Sequence, residues 1–120
     1  MLLTERSLNE AQVFLISGRF DQLGEFTLSN AISKAREAGC GHIMLSLEQV
    51  SWIDSSGIGI IFLTYHELRR KGIRLSLINP KPAIRQRLDL VDIPRLIPTY
   101  ATEEEAASAP TGCFTHLHLS

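Results

Sequence analysis

Two adjacent hydroxyls, Ser55 and Ser56, sit between an acid and a glycine in Trp52-Ile53-Asp54-Ser55-Ser56-Gly57-Ile58-Gly59. The stretch joins an apolar, strand-like segment to a long apolar segment with helical spacing. Gly57 and Gly59 keep side chains from crowding the hydroxyls. A helix start leaves backbone N–H groups unpaired and carries a partial positive charge. Such a place accommodates an oxyanion, including a phosphate esterified to serine. Reversible phosphorylation is the chemistry these residues suit.

Other chemistries find less support. A serine nucleophile needs a base within reach and an oxyanion hole. The Gly-X-Ser-X-Gly elbow is absent, and none of His42, His66, His116 or His118 is placed near the turn by the sequence. No catalytic residue is assigned. His116-Leu117-His118 offers two imidazoles without a third ligand at a recognisable spacing, so no metal is expected. There is no phosphate-binding glycine loop followed by Lys-Ser/Thr, and no cofactor is expected.

The elements that must hold the turn follow in order. Ala11 to Gly18 is rich in strand formers, with Leu2 to Arg6 a short partner across the turn at Ser7-Leu8-Asn9-Glu10. Asp21 stands in a polar loop as an N-cap. The first helix is predicted from about Leu23 to Ala38, where Leu28, Ala31, Ile32 and Ala35 make one apolar stripe. Gly39 and Gly41 stop it. His42 to Leu47 reads as a buried strand, and Glu48-Gln49 leads to Val50-Ser51-Trp52-Ile53. The second helix spans about Ser56 to Lys71 and ends at Gly72. A strand from Ile73 to Ile78 follows, and Asn79-Pro80-Lys81-Pro82 breaks the chain. Ala83 to Leu90 is a short helix with Ile84, Leu88 and Val91 on one side. Leu96 to Tyr100 is an edge strand, and Thr102 caps a last helix. Alternating strands and helices imply an α/β domain with a mostly parallel sheet.

On the second helix, Ile58, Ile61, Phe62, Tyr65 and Leu68 fall within an arc of about 120° and should face the sheet. Ile60 and Leu63 fall outside that arc. Either the next helix covers them, or they form a ridge on which a partner docks, one turn from Ser55. Trp52 is expected to fill space under the sheet edge. Glu103-Glu104-Glu105 suits the helix dipole.

The 120 residues carry a net charge of −1, with 44% hydrophobic and 21% charged residues. That is an ordinary composition for a single folded unit. It offers no field for nucleic acid or an anionic membrane. No apolar run reaches the roughly 18 residues that span a bilayer, and a cytoplasmic location is expected. Cys40 and Cys113 are then expected as free thiols.

Residues Leu45 to Gly59 resemble the central segment of STAS domains, most closely those of the bacterial anti-sigma factor antagonists. Gly18-Arg19-Phe20-Asp21, Gly72-Ile73-Arg74-Leu75 and Pro82-Ala83-Ile84 with Leu88 extend the likeness over about residues 5 to 107. The resemblance implies a STAS fold: a mostly parallel sheet of four to five strands with an antiparallel N-terminal strand and about four helices. Ala109-Pro110-Thr111-Gly112 reads as a boundary, which sets the domain at residues 1–109 and leaves 110–120 as a loosely held tail. The resemblance implies a switch in which the unphosphorylated domain binds an anti-sigma factor, a serine kinase of the histidine-kinase-like ATPase type, and frees a sigma factor. Phosphorylation separates the pair, and a serine phosphatase resets it. Ser55 matches the acceptor, with Ser56 as second choice and as helix cap. Asp21 and Asp54 match the acids flanking the site. Partner contacts are expected from Asp21, Asp54, Ser56, Gly57, Gly59, Ile60 and Leu63. Homodimerisation stays open. Other STAS relatives serve as adaptors in stress-signalling or lipid-transport complexes. Arg19 stands where relatives are often acidic or polar, a departure that bears on partner choice.

Overall fold

The computed structural model describes residues 1–8 and 10–109. The predicted turn at Asn9, the tail from Pro110, Cys113 and the His116–His118 pair lie outside the described residues. Among the described residues, five strands form one sheet in the order β1-β2-β3-β4-β5. They are β1 (Leu2–Leu8), β2 (Ala11–Phe20), β3 (His42–Ile53), β4 (Arg74–Ile78) and β5 (Thr99–Tyr100). β1 runs antiparallel to β2, and the remaining pairs are parallel. The helices are α1 (Glu25–Glu37), α2 (Ser55–Arg70), α3 (Pro82–Leu90), α4 (Ile93–Leu96) and α5 (Glu103–Ser108).

The sheet is apolar on both faces, which explains its unbroken buried runs. One face carries the larger core. Phe14, Ile16, Leu45, Leu47 and Leu77 pack there against Leu28 and Ile32 of α1, Ile61 and Leu68 of α2, Ile84 and Leu88 of α3, and Ile93 of α4. The other face buries Ala11, Val13, Met44 and Ile78 under Ala106 of α5. The side-chain hydroxyl of Thr102 accepts from the Glu105 N–H and starts α5. Arg6 of β1 pairs with Glu103 and ties that helix across the sheet.

β3 is one strand of twelve residues, not two segments. Its core-facing residues change spacing on the way. Leu45 and Leu47 are two apart, but Val50 and Ile53 follow at intervals of three, and all four are buried. Strict alternation would not allow this. The register shows the cause. Leu15 pairs with Ser46 and Ser17 with Gln49; Gly18 pairs with Val50 and Arg19 with Trp52. Each irregularity adds one residue to β3, so two bulges re-aim its end. The polar Glu48-Gln49 pair falls at the first, and Ser51 is the extra residue at the second.

The sequence expectations need two corrections here. Ile60 is buried in the main core, because α1 lies alongside α2 on that flank: Ile60 and Ile32 line the same groove. Val91 is exposed, because α3 ends at Leu90 and the chain turns through Asp92 at φ +59°. The expected mostly parallel sheet with about four helices is the architecture observed; among the described residues there are five α-helices, of which α4 is a single turn closed by the Ile97 N–H donating to the Ile93 carbonyl.

Candidate functional site at the start of helix α2

Phe20 and Ile53 are the last residues of β2 and β3, and they pair in register. Both are fully buried. The next residue on each strand is an aspartate, and each aspartate caps the turn that follows. Asp21 Oδ1 accepts from the Leu23 N–H at 3.1 Å and starts a 3-10 turn, Gln22–Gly24, ahead of α1. Asp54 Oδ1 accepts from the Gly57 N–H at 2.9 Å and starts α2. Two strand ends thus deliver two capped helix starts to one pole of the sheet.

Ser55 is the first residue of α2 and is exposed. Its hydroxyl is not enclosed by the core. Ser56 follows, also exposed. The cap is Asp54, not Ser56: the Asp54 carboxylate reaches the third N–H of the helix, while Ser56 already lies inside the first turn. Gly57 is buried, and the carbonyl of Phe20 lies against it. This close approach pins the start of α2 to the end of β2. Gly59 has open space where a side chain would begin.

The Asp54 side chain takes the Gly57 N–H, and the Asp54 carbonyl takes the Ile58 N–H at 3.0 Å. Among the described residues, the N–H groups of Ser55 and Ser56 meet no intramolecular acceptor. They and the helix dipole favour an oxyanion at this end. Asp21 and Asp54 oppose it with negative charge.

Ser55, the expected acceptor, shares this pole with five of the residues expected to meet a partner: Asp21, Asp54, Ser56, Gly57 and Gly59. Leu63 lies two turns along α2 and is 65% exposed. Ile60 does not belong to the surface. Leu63 stands over a groove of about 330 Å³ between α1 and α2, whose floor includes Ile32, Ile60 and Leu68. Arg36 and Glu67, joined at 3.1 Å, line the same groove.

Sequence reasoning missed two features. Leu23 and Phe26 are 88% and 75% exposed, although they open a helix with an apolar stripe. Leu23 lies in the 3-10 turn, which packs against α2, and Phe26 stands about 160° round α1 from Leu28. Trp52 was expected under the sheet edge; instead its ring stacks beneath Arg87 of α3 and beside Arg19. The displaced parity after Ser51 was the only signal.

His42 stands at the first position of β3, at the opposite end from Ser55, and its Nε2 is 2.8 Å from the Ser76 hydroxyl. Burial, aided by the nearby Arg74 charge, lowers its pKa to about 4. His66 is exposed on α2 beside Tyr65. Neither joins Ser55 in a nucleophile–base pair among the described hydrogen bonds. No group of three or more metal-ligating side chains stands together among the described residues.

A family model for the STAS domain matches residues 6–106. The chain belongs to the STAS domain family. This STAS domain is 33% identical, over 67 residues, to the anti-sigma F factor antagonist of Paenibacillus polymyxa. The match covers 56% of this chain and 57% of that protein, so it spans little more than half the length of the relative. Among solved structures, the domain resembles the anti-sigma factor antagonist SpoIIAA in its unphosphorylated form, with 28% identity, a TM-score of 0.73, and coverage of 88% and 93% of the two chains. It also resembles the phosphorylated form of the Bacillus cell fate determinant SpoIIAA, at 28% identity and a TM-score of 0.68, with 88% and 96% coverage. An anti-sigma factor antagonist from Mycobacterium paratuberculosis shares the fold, at 21% identity and a TM-score of 0.78 over 89% and 91% of the chains. No helix of the STAS domain, among the described residues, is long and apolar enough to cross a membrane.

Proposed function

We propose that this domain is an anti-sigma factor antagonist controlled by phosphorylation of Ser55. The free hydroxyl lets an anti-sigma factor dock, a serine kinase with a histidine-kinase-like ATPase fold, and a sigma factor is set free. Phosphate on Ser55 drives the partner off, and a serine phosphatase resets the domain. The domain itself is not an enzyme in this reading. The observation that carries the proposal is the exposure of Ser55 at the first position of α2, directly after the capping Asp54.

The physical argument concerns where the new charge is costly. Phosphoserine adds about −1.5 to −2 charge. The helix start accommodates it within the domain, through free N–H groups and the dipole. A partner pressed against the same pole must desolvate it beside Asp21 and Asp54. A loss of about 3 to 4 kcal/mol weakens binding several hundred-fold, which is enough to switch it.

Incubation with the anti-sigma factor kinase and ATP, followed by mass spectrometry, is expected to map phosphate to Ser55. Ser55→Asp is expected to melt like the parent domain and to bind the kinase several hundred-fold more weakly. Equal affinity of Ser55→Asp and parent overturns the switch. Phosphate on Ser56 alone moves the acceptor by one residue and overturns the assignment to Ser55.

A further inference from the structure

We propose that Arg19, Trp52 and Arg87 form a cationic–aromatic surface that receives an acidic segment of the protein partner and so helps to choose that partner. The proposal rests on the reading of Ser55 as the control point of a docking surface, and it adds a second contact at the same pole.

The surface exists because of the Ser51 bulge. Val50 and Ile53 both belong to the core, and the extra residue leaves Trp52 out of that core, in register with Arg19. Without the bulge, Trp52 would share the face of Val50. α3 supplies the third member. Ile84 and Leu88 anchor α3 in the core, and Arg87, next to Leu88, lays its guanidinium over the indole at 4.2 Å from the ring centre. Arg19 approaches the same ring at 5.5 Å.

Two cations on one ring repel each other, and neither is well neutralised. Asp21 is 3.9 Å from Arg19, at the limit of an ion pair. Arg87 has no acidic partner among the described residues, whereas Arg85 on the same helix is paired with Asp89 at 3.1 Å. A guanidinium centred over an aromatic ring is held by its π face and still has N–H donors to offer. Such donors are matched by a carboxylate. The patch is local, in a chain of net charge −1. It lacks the extended basic field that nucleic acid requires, and an acidic protein segment fits it better. Position ties it to the switch: Trp52 lies three residues before Ser55, and Arg19 two before Asp21.

Trp52 is the single tryptophan of the chain, so its fluorescence reads the surface directly. The test is a titration of the full chain with a hexaglutamate peptide at low ionic strength, with hexaserine as control. We expect a saturable change in Trp52 emission with hexaglutamate only, weakened at least tenfold by Arg87→Gln and by Arg19→Gln. Raising the salt to about 0.3 M should suppress it. Thermal melts verify that both variants fold. An unresponsive Trp52, or the same titration in parent and variants, overturns the proposal. A Trp52 change on Ser55 phosphorylation, without any peptide response, reassigns the arginines to the phosphate and also overturns it. Phosphorylation and kinase affinity are read separately. A failed switch with an intact peptide titration therefore refutes only the role of Ser55, and the reverse pattern refutes only the patch.

Discussion

The backbone carbonyl of Phe20 occupies the space that a β-carbon on Gly57 would need. Ile53 crowds the same space, its Cγ1 2.8 Å from that position. The start of α2 is thereby locked onto the ends of β2 and β3, and Ser55 is held outward. Neither neighbour is a flexible side-chain tip: one is backbone and the other is fully buried. Gly57→Ala is expected to destabilise the domain by about 1–3 kcal/mol, as overpacking of a tight contact does. Gly59→Ala meets open space in a helix interior and should be neutral or stabilising by up to about 1 kcal/mol. Calorimetric melting of the two variants checks the contrast. Equal melting temperatures would show that close approach does not explain Gly57.

Asp54 acts through its cap as well as its charge. Asp54→Ala should lose about 1 kcal/mol of stability, because the Gly57 N–H loses its acceptor. Asp54→Asn keeps an oxygen in place and should lose much less. Urea denaturation midpoints separate the two. If Ala and Asn cost the same, the hydrogen bond is not what Asp54 contributes.

Ile60 and Leu63 are three residues apart and should behave differently. Ile60→Ala removes a buried side chain between α1 and α2 and should cost about 2–5 kcal/mol. Leu63→Ala removes an exposed one and should change stability by no more than about 0.5 kcal/mol. On the proposed docking surface, Leu63→Ala weakens partner binding while the melting temperature stays put. Isothermal titration against the kinase, paired with the melts, checks this.

His42 sets part of the acid response. Its pKa in the folded domain is about 4, against 6.5 for the free side chain, so the unfolded chain binds the proton more readily between those values. Folding stability from this group is complete above about pH 6.5 and falls as the pH drops towards 4. The loss amounts to about 3 kcal/mol. His42→Gln, which retains a partner for the Ser76 hydroxyl, should flatten that part of the pH–stability curve. Denaturation of parent and variant at pH 7, 5.5 and 4.5 measures the difference. Identical slopes would remove His42 from the acid response.

Local signals carried much of the architecture. The apolar stripe Leu28, Ile32, Ala35 is the buried side of α1, and Thr102 caps α5 as its sequence position implied. Asp54-Ser55-Ser56-Gly57 marked the strand-to-helix join, because acids, hydroxyls and glycine at a helix start act through backbone groups only a few residues away. The side of a helix that meets a neighbour is a different matter. Ile60 fell outside the sheet-facing arc, open to cover by the next helix or by a partner; it is the preceding helix, α1, that covers it. Trp52 read as filler under the sheet edge because neither the Ser51 bulge nor the approach of Arg19 and Arg87 is written in the local sequence.

The sequence by itself determined the order of elements, the capped turn that presents Ser55, and the apolar content of the core. These follow from periodicity and from contacts within one or two turns. The tertiary structure alone decided that Phe20 seats Gly57, that Ile60 is interior, and that Arg19 and Arg87 meet over Trp52. Those relations join residues far apart in the chain, through strand register and helix packing, and no local pattern encodes them.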